Sequence, residues 1–148
     1  MAYSIREINV SELNLAVEVL NHLPEFDSIF YIAQLQKRLS KPESILLLAE
    51  SNGKPVGCKL AYNRNYDGSV YSWLGGVLPE YRNSGIATAL LNKLEQEARR
   101  KFFLSVRMKT RNKHIAMLCF SLKNGFQING FQVNEDRKES RIELIKML

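Results

Sequence analysis

The sequence predicts an α/β (α+β) fold on three observations. Segments with apolar residues at helical spacing alternate along the chain with short runs of β-forming residues. Turn chemistry at Ser51-Asn52-Gly53-Lys54 joins two of those runs as a hairpin, which brings antiparallel pairing into the sheet. The 148 residues, 45% hydrophobic and 24% charged, suffice for one buried core and leave little length for a second, so a single domain over residues 1–148 is expected.

Each element follows from local chemistry. Tyr3 to Ile8 reads as a short strand, after which Ser11 is placed to cap a helix carrying Leu15, Val19 and Leu20. Pro24 marks a loop. From Asp27, the residues Ile29, Phe30, Ile32, Ala33, Leu35 and Leu39 set out a second amphipathic helix that stops before Pro42. Ser44 to Glu50 and Val56 to Tyr62 are the arms of the hairpin. Ser69 to Val77 is a third strand in this part of the chain, and the pair Gly75-Gly76 near its end predicts a bulge or the close approach of a ligand.

From Ser84 onward Ile86, Ala87, Leu90, Leu91, Leu94 and Ala98 form one apolar stripe, closed by Arg99-Arg100-Lys101 where a helix C-terminus favours cations. Leu104, Val106 and Met108 then alternate with Ser105, Arg107 and Lys109 as a half-buried strand. A helix over Asn112 to Asn124 stops at Gly125, and Phe126 to Val133 and Arg141 to Met147 read as two strands across a charged loop. The order is β α α β β β α β α β β.

Lys and Arg number 21 against 15 Asp and Glu, a net charge of +6 and a pI near 9.4, which suits a polyanionic partner: nucleic acid, a membrane surface or a phosphorylated cofactor. Arg6 and Glu7 interrupt the N-terminus, and the longest runs without polar side chains, Trp73 to Leu78 and Ile115 to Phe120, fall far short of the roughly 20 residues of a membrane span. A soluble, cytoplasmic protein without membrane partners is expected. Cys58 and Cys119 form no metal-binding spacing, so free thiols and no metal site are expected.

The chemistry concentrates where the third strand meets the longest helix, in Val77-Leu78-Pro79-Glu80-Tyr81-Arg82-Asn83-Ser84-Gly85-Ile86-Ala87-Thr88. The first turn of a helix leaves its amides unpaired, and Gly85 lets phosphate oxygens approach them without a side chain intervening. Arg82 adds a charged donor. An ordinary helix start capped by Ser84 is the other reading of these residues. Neither a Walker loop nor GxGxxG fits the spacing.

Strand, then Val77-x-Pro79-x-x-Arg82-x-x-Gly85-x-Ala87, then a Leu-rich helix, resembles the acyl-CoA signature [QR]xxGx[GA] of the GNAT N-acetyltransferases. The terminal pair Gly125-Phe126 after a strand and a helix is similar to the same family's C-terminal half. The resemblance implies a mixed, mostly antiparallel sheet splayed in the middle and flanked by about four helices. Acetyl-CoA would lie as cosubstrate between the strands at Ser69 to Val77 and Leu104 to Thr110. By the same resemblance, amides of Arg82, Asn83, Ser84, Gly85, Ile86, Ala87 and Thr88 would bind the pyrophosphate, and backbone groups of Val77 and Leu78 the pantetheine. The implied reaction is direct attack of a primary amine, small-molecule or peptide, on the thioester.

Two positions depart from the pattern. Ser121 stands where the family usually has the tyrosine that protonates the leaving thiolate, and His114 where it has an asparagine, with Asn112 close by. Ser121 is the candidate acid, with Tyr62, Tyr71 and Tyr81 as other phenols; a solvated surface role is the expectation for His114. Glu80 reads as a charge at the start of the helix, which leaves deprotonation to water. Glu25, Asp27 and Glu43 are candidates to attract a cationic amine between Phe26, Phe30, Tyr31 and Trp73. Cys119 reads as core. A basic set formed by Arg99, Arg100, Lys101, Arg107, Lys109, Arg111 and Lys113 keeps a nucleic-acid-binding module as the alternative, although no recognition signature accompanies it. A non-catalytic acyl-CoA sensor and a homodimer also stay open.

Overall fold

The computed structural model describes residues 2–148. Seven strands form one sheet in the order β1-β2-β3-β4-β5-β7-β6, where β1 is Ser4–Glu7, β2 Ile45–Ser51, β3 Lys54–Tyr62, β4 Ser69–Val77, β5 Ser105–Arg111, β6 Gln127–Gln132 and β7 Arg141–Met147. Helices α1 (Leu13–Leu20), α2 (Ile32–Leu39), α3 (Ile86–Arg100) and α4 (Ile115–Lys123) flank it. The order of strands and helices agrees with the sequence expectation.

All neighbouring strands are antiparallel except β4 and β5, which run parallel and pair only from Ser69 to Ser72 against Ser105 to Met108. Beyond that point β4 pairs with β3 alone and β5 with β7 alone, so the sheet parts into a V. The parallel crossover explains this shape. A strand following α3 enters the sheet in the direction of β4, and the twist of each half carries the two C-terminal ends apart.

The side-chain alternation assigns the faces. Val106 and Met108 are buried on the face where Lys146 of β7 reaches Glu95 of α3 at 3.0 Å and where the Ser121 hydroxyl of α4 lies 3.3 Å from Met108 Sδ. Arg107, Lys109 and Arg111 therefore share the opposite face, on which α2 sets Arg38 over Trp73 and against Tyr62. On α3, Ile86, Leu90, Leu91, Leu94 and Ala98 are buried, and larger side chains of this kind each contribute about 1.5–3 kcal/mol of burial.

Several local expectations are corrected. The first helix is preceded by a 3-10 turn, Val10–Glu12, whose box is closed by the Glu12 carboxylate accepting from the Asn9 amide at 3.0 Å, so Ser11 is not its cap. Residues 27–31 are not helical, because the Asn21 side chain ties down Phe30 from both sides and holds that stretch out of the helix. Leu104 precedes β5 and is 66% exposed. Helix α4 starts at Ile115, since Asn112 and Lys113 donate their amides to the loop carbonyls of Ser140 and Lys138. Cys119 is exposed rather than core.

Candidate functional site

The bulge predicted at Gly75-Gly76 sits instead at Trp73, where Leu60 pairs with Leu74 and Ala61 with Ser72. The glycines serve close packing. A Cβ on Gly75 would lie 2.8 Å from the Cys58 carbonyl oxygen, and one on Gly76 would lie 2.6 Å from Leu23 Cδ1. The bulge has a consequence for the edge of the V. Because the Leu78 amide donates to Val56 O at 2.8 Å, ladder alternation turns Leu74 and Gly76 toward β3 and leaves Gly75 and Val77 with backbone groups facing the gap. Val77 O accepts from Arg82 Nε at 2.9 Å, in keeping with that orientation.

The chain then makes a 3-10 turn, Pro79–Tyr81, and passes through two left-handed residues, Asn83 at φ +62° and Gly85 at φ +88°, before α3 begins. Gly85 itself is the N-cap. The Ser84 hydroxyl donates to the Tyr81 carbonyl, so Ser84 is no side-chain cap. The amides of Asn83, Ser84, Gly85, Ile86, Ala87 and Thr88 have no acceptor among the described residues, and the first amide to close a helical bond is Ala89 on Gly85 O at 3.0 Å. Six consecutive free donors at the positive end of a helix of 15 residues make an anion cradle. A Cβ at Gly85 would meet only Tyr3 Oη at 3.4 Å, so the space in front of the amides is open.

The candidate residues fall into two groups. Asn83 to Thr88 converge as the sequence suggests. Arg82 is close by, but its amide donates to Pro79 O and its guanidinium holds Glu25 with both arms, at 2.7 and 3.0 Å. That bidentate pair holds the Glu25 carboxyl below its usual pKa range and pins the loop after α1 to the start of α3. At Leu78 the amide is used by Val56 and the carbonyl by Tyr81, whereas Gly75, expected from the sequence to mark a bulge or the close approach of a ligand but not named among the cofactor-binding residues, presents free backbone to the gap. Ladder register is the signal that identifies it, and register is a tertiary property.

Ser121 is 1% exposed, and its hydroxyl donates to the Met117 carbonyl at 2.8 Å within its own helix. Tyr62 accepts from Arg38 at 2.8 Å. Tyr71 faces the side opposite α3, and burial pushes its phenol up in pKa. Tyr81 lies under Lys54 on the cradle side. Of the acids expected to draw in an amine, Glu25 is held by Arg82, and Asp27 lies 3.5 Å from Arg111 and 3.6 Å from Lys113. Phe30 is core, Phe26 stacks edge-on to it at 5.0 Å, and Tyr31 is exposed. No group of acidic, His or Cys residues among the described residues is arranged to hold a metal, and no helix is long and apolar enough to cross a membrane.

Comparison with solved structures finds the same fold repeatedly. The ribosomal-protein-S18-alanine N-acetyltransferase of Escherichia coli superposes with a TM-score of 0.83 at 15% identity, covering 99% of this chain and 94% of that one. The paia N-acetyltransferase of Thermoplasma acidophilum, solved with coenzyme A, gives 0.80 at 16% identity, covering all of both chains. A GNAT family acetyltransferase of Elizabethkingia anophelis with acetyl-CoA bound gives 0.78 at 19% identity, covering 99% and 98%. These likenesses concern the fold. The family model for the acetyltransferase (GNAT) family matches residues 4–126, well over half of the sequence, and spans the splayed strands and the cradle alike. The chain belongs to the GNAT acetyltransferase family.

Proposed function

We propose that this protein is an acetyl-CoA-dependent N-acetyltransferase that moves an acetyl group to a primary amine within a ternary complex. The observation that carries the proposal is the run of six unpaired amides from Asn83 to Thr88, placed beside a gap edged by the backbone of Gly75 and Val77. Acetyl-CoA supplies a diphosphate for the amides, an amide-bearing arm for the strand edge and an activated thioester. The acceptor ammonium gives one proton to water, and the neutral amine attacks the carbonyl carbon, its second N–H proton passing to water as the intermediate collapses. The C–N bond forms, the C–S bond breaks, and the electron pair leaves on sulfur. An amide on the β4 edge is suited to stabilise the oxygen as it gains charge. The thiolate, with a pKa of about 8.5, leaves without a strong acid. The Ser121 hydroxyl, bonded to Met117, would act only after breaking that bond, so solvent protonation is our reading.

Calorimetry with acetyl-CoA and CoA tests the cradle, and thiol release across an amine panel tests transfer. Binding in the micromolar range is expected, with thermal stabilisation of about 2.7 kcal/mol at a hundredfold excess over Kd. Neither heat nor stabilisation at millimolar ligand would sink the proposal. The buried Ser121 favours one other reading, an acyl-CoA sensor, which predicts binding without thiol release. A nucleic-acid surface is disfavoured: Arg99, Arg100, Arg107, Lys109, Arg111 and Lys113 each lie within an ion pair, and Lys101 donates to Pro42 O.

A further inference from the structure

At the base of the V, on the face away from α3, lies a cleft of about 370 Å³ bounded by Arg64, Asp67, Tyr71, Arg107, Lys109 and Glu143. Its volume is that of a small-molecule site, about 300–1,000 Å³. Tyr71 and Arg107 are register partners one step before the strands separate after Ser72 and Met108, so the cleft adjoins the gap.

Its charges are unevenly matched. Lys109 holds Glu143 at 3.4 Å, and Arg107 reaches Asp67 through one terminal nitrogen at 3.6 Å. Both acids in the cleft are thereby engaged, and Asp67 also accepts from the Ser69 amide at 3.0 Å. Two donors remain. Arg107 Nε is buried with no partner, and Arg64 has no carboxylate partner among the described residues. The Arg64 guanidinium carbon stands 4.7 Å from the Tyr71 ring centroid. Stacking of this kind fixes a planar fork and leaves its N–H edge for an oxyanion. A buried N–H without an acceptor is unfavourable until something supplies one.

We propose that this cleft seats a carboxylate of the acceptor, between Arg64 and Arg107, so that the amine acetylated by this protein belongs to an acid-bearing molecule. A free amino acid and an acidic peptide present the same group. The inference rests on the transferase reading and adds the substrate class to it.

The test is thiol release from acetyl-CoA with matched acceptors, free amino acids and acidic peptides, each against its carboxamide, in parallel with acetyl-CoA calorimetry. The carboxylate member of a pair is expected to show at least tenfold higher kcat/KM. Arg64→Gln and Arg107→Gln are expected to erase that preference by raising KM for the acid, while turnover of the carboxamide changes less than threefold. Arg64 is exposed, so Arg64→Gln decides the matter even where Arg107→Gln fails to fold. Equal use of both members, a preference that survives Arg64→Gln, or turnover confined to amines without an acid overturns the inference. Absence of turnover on every acid-bearing acceptor with acetyl-CoA still bound overturns it alone. Absence of acetyl-CoA binding removes the transferase reading and this inference with it.

Discussion

Replacing Gly85 by Glu separates the cradle from the fold. Gly85 has φ +88° and ψ 0°, and a Cβ there meets nothing nearer than Tyr3 Oη at 3.4 Å, so the substitution carries a backbone penalty without a clash. A left-handed non-glycine residue costs about 1–2 kcal/mol. For a chain of this length that lowers Tm by roughly 3–8 °C. The effect on binding is larger. A carboxylate about 5 Å from a diphosphate of two charges, at an effective dielectric constant of roughly 40, is repelled by about 3 kcal/mol, or around two hundredfold in Kd. Gly85→Gln shares the backbone penalty and the bulk without the charge. Calorimetry with CoA at low salt is expected to show a hundredfold or greater gap between the Gln and Glu variants, narrowing in 1 M salt as screening grows, roughly. Should Gly85→Glu bind CoA within threefold of the native protein while melting a few degrees lower, the diphosphate does not sit at these amides.

Further outcomes concern Ser121 and Lys59. Ser121→Ala should lower kcat less than tenfold, because the hydroxyl is bonded to the Met117 carbonyl, whereas Ser121→Tyr should destabilise by about 1–3 kcal/mol by overfilling a site that is 1% exposed; a thousandfold loss in Ser121→Ala with unchanged acetyl-CoA affinity would make Ser121 the essential acid. Lys59, on the face toward Glu95, has its pKa pushed down to about 8 by burial, so between that value and the unfolded lysine range the folded chain binds fewer protons than the unfolded one. Burial also pushes the neighbouring Cys58 thiol up to about 12, which has the opposite slope over the same range, so the Lys59 share is read against Lys59→Met: the variant should be on the order of 2 kcal/mol more stable at pH 7, and that advantage should shrink as pH climbs from about 8 to about 10. Urea unfolding of both proteins at both pH values checks it, and an advantage that does not shrink contradicts the assignment.

By itself the sequence determined what depends on neighbours along the chain. Period and turn chemistry set the order of eleven strands and helices, the hairpin at Asn52-Gly53, the apolar stripe of α3 and the left-handed stop at Gly125, because each is decided within one or two turns of backbone. The free amides from Asn83 to Thr88 were legible for the same reason: unpaired amides are a property of any helix start. What only the tertiary structure decided depends on partners distant in sequence. The bulge sits at Trp73, and Gly75 and Gly76 instead make room where β3 and Leu23 crowd the strand. Arg82 and Glu25, 57 residues apart, close on one another, and Ser121 is enclosed over Met108. The Arg64 and Arg107 cleft arises where a loop, β4, β5 and β7 meet, and no spacing within any one of them encodes it. Long-range pairing fixes which donors are satisfied and which remain.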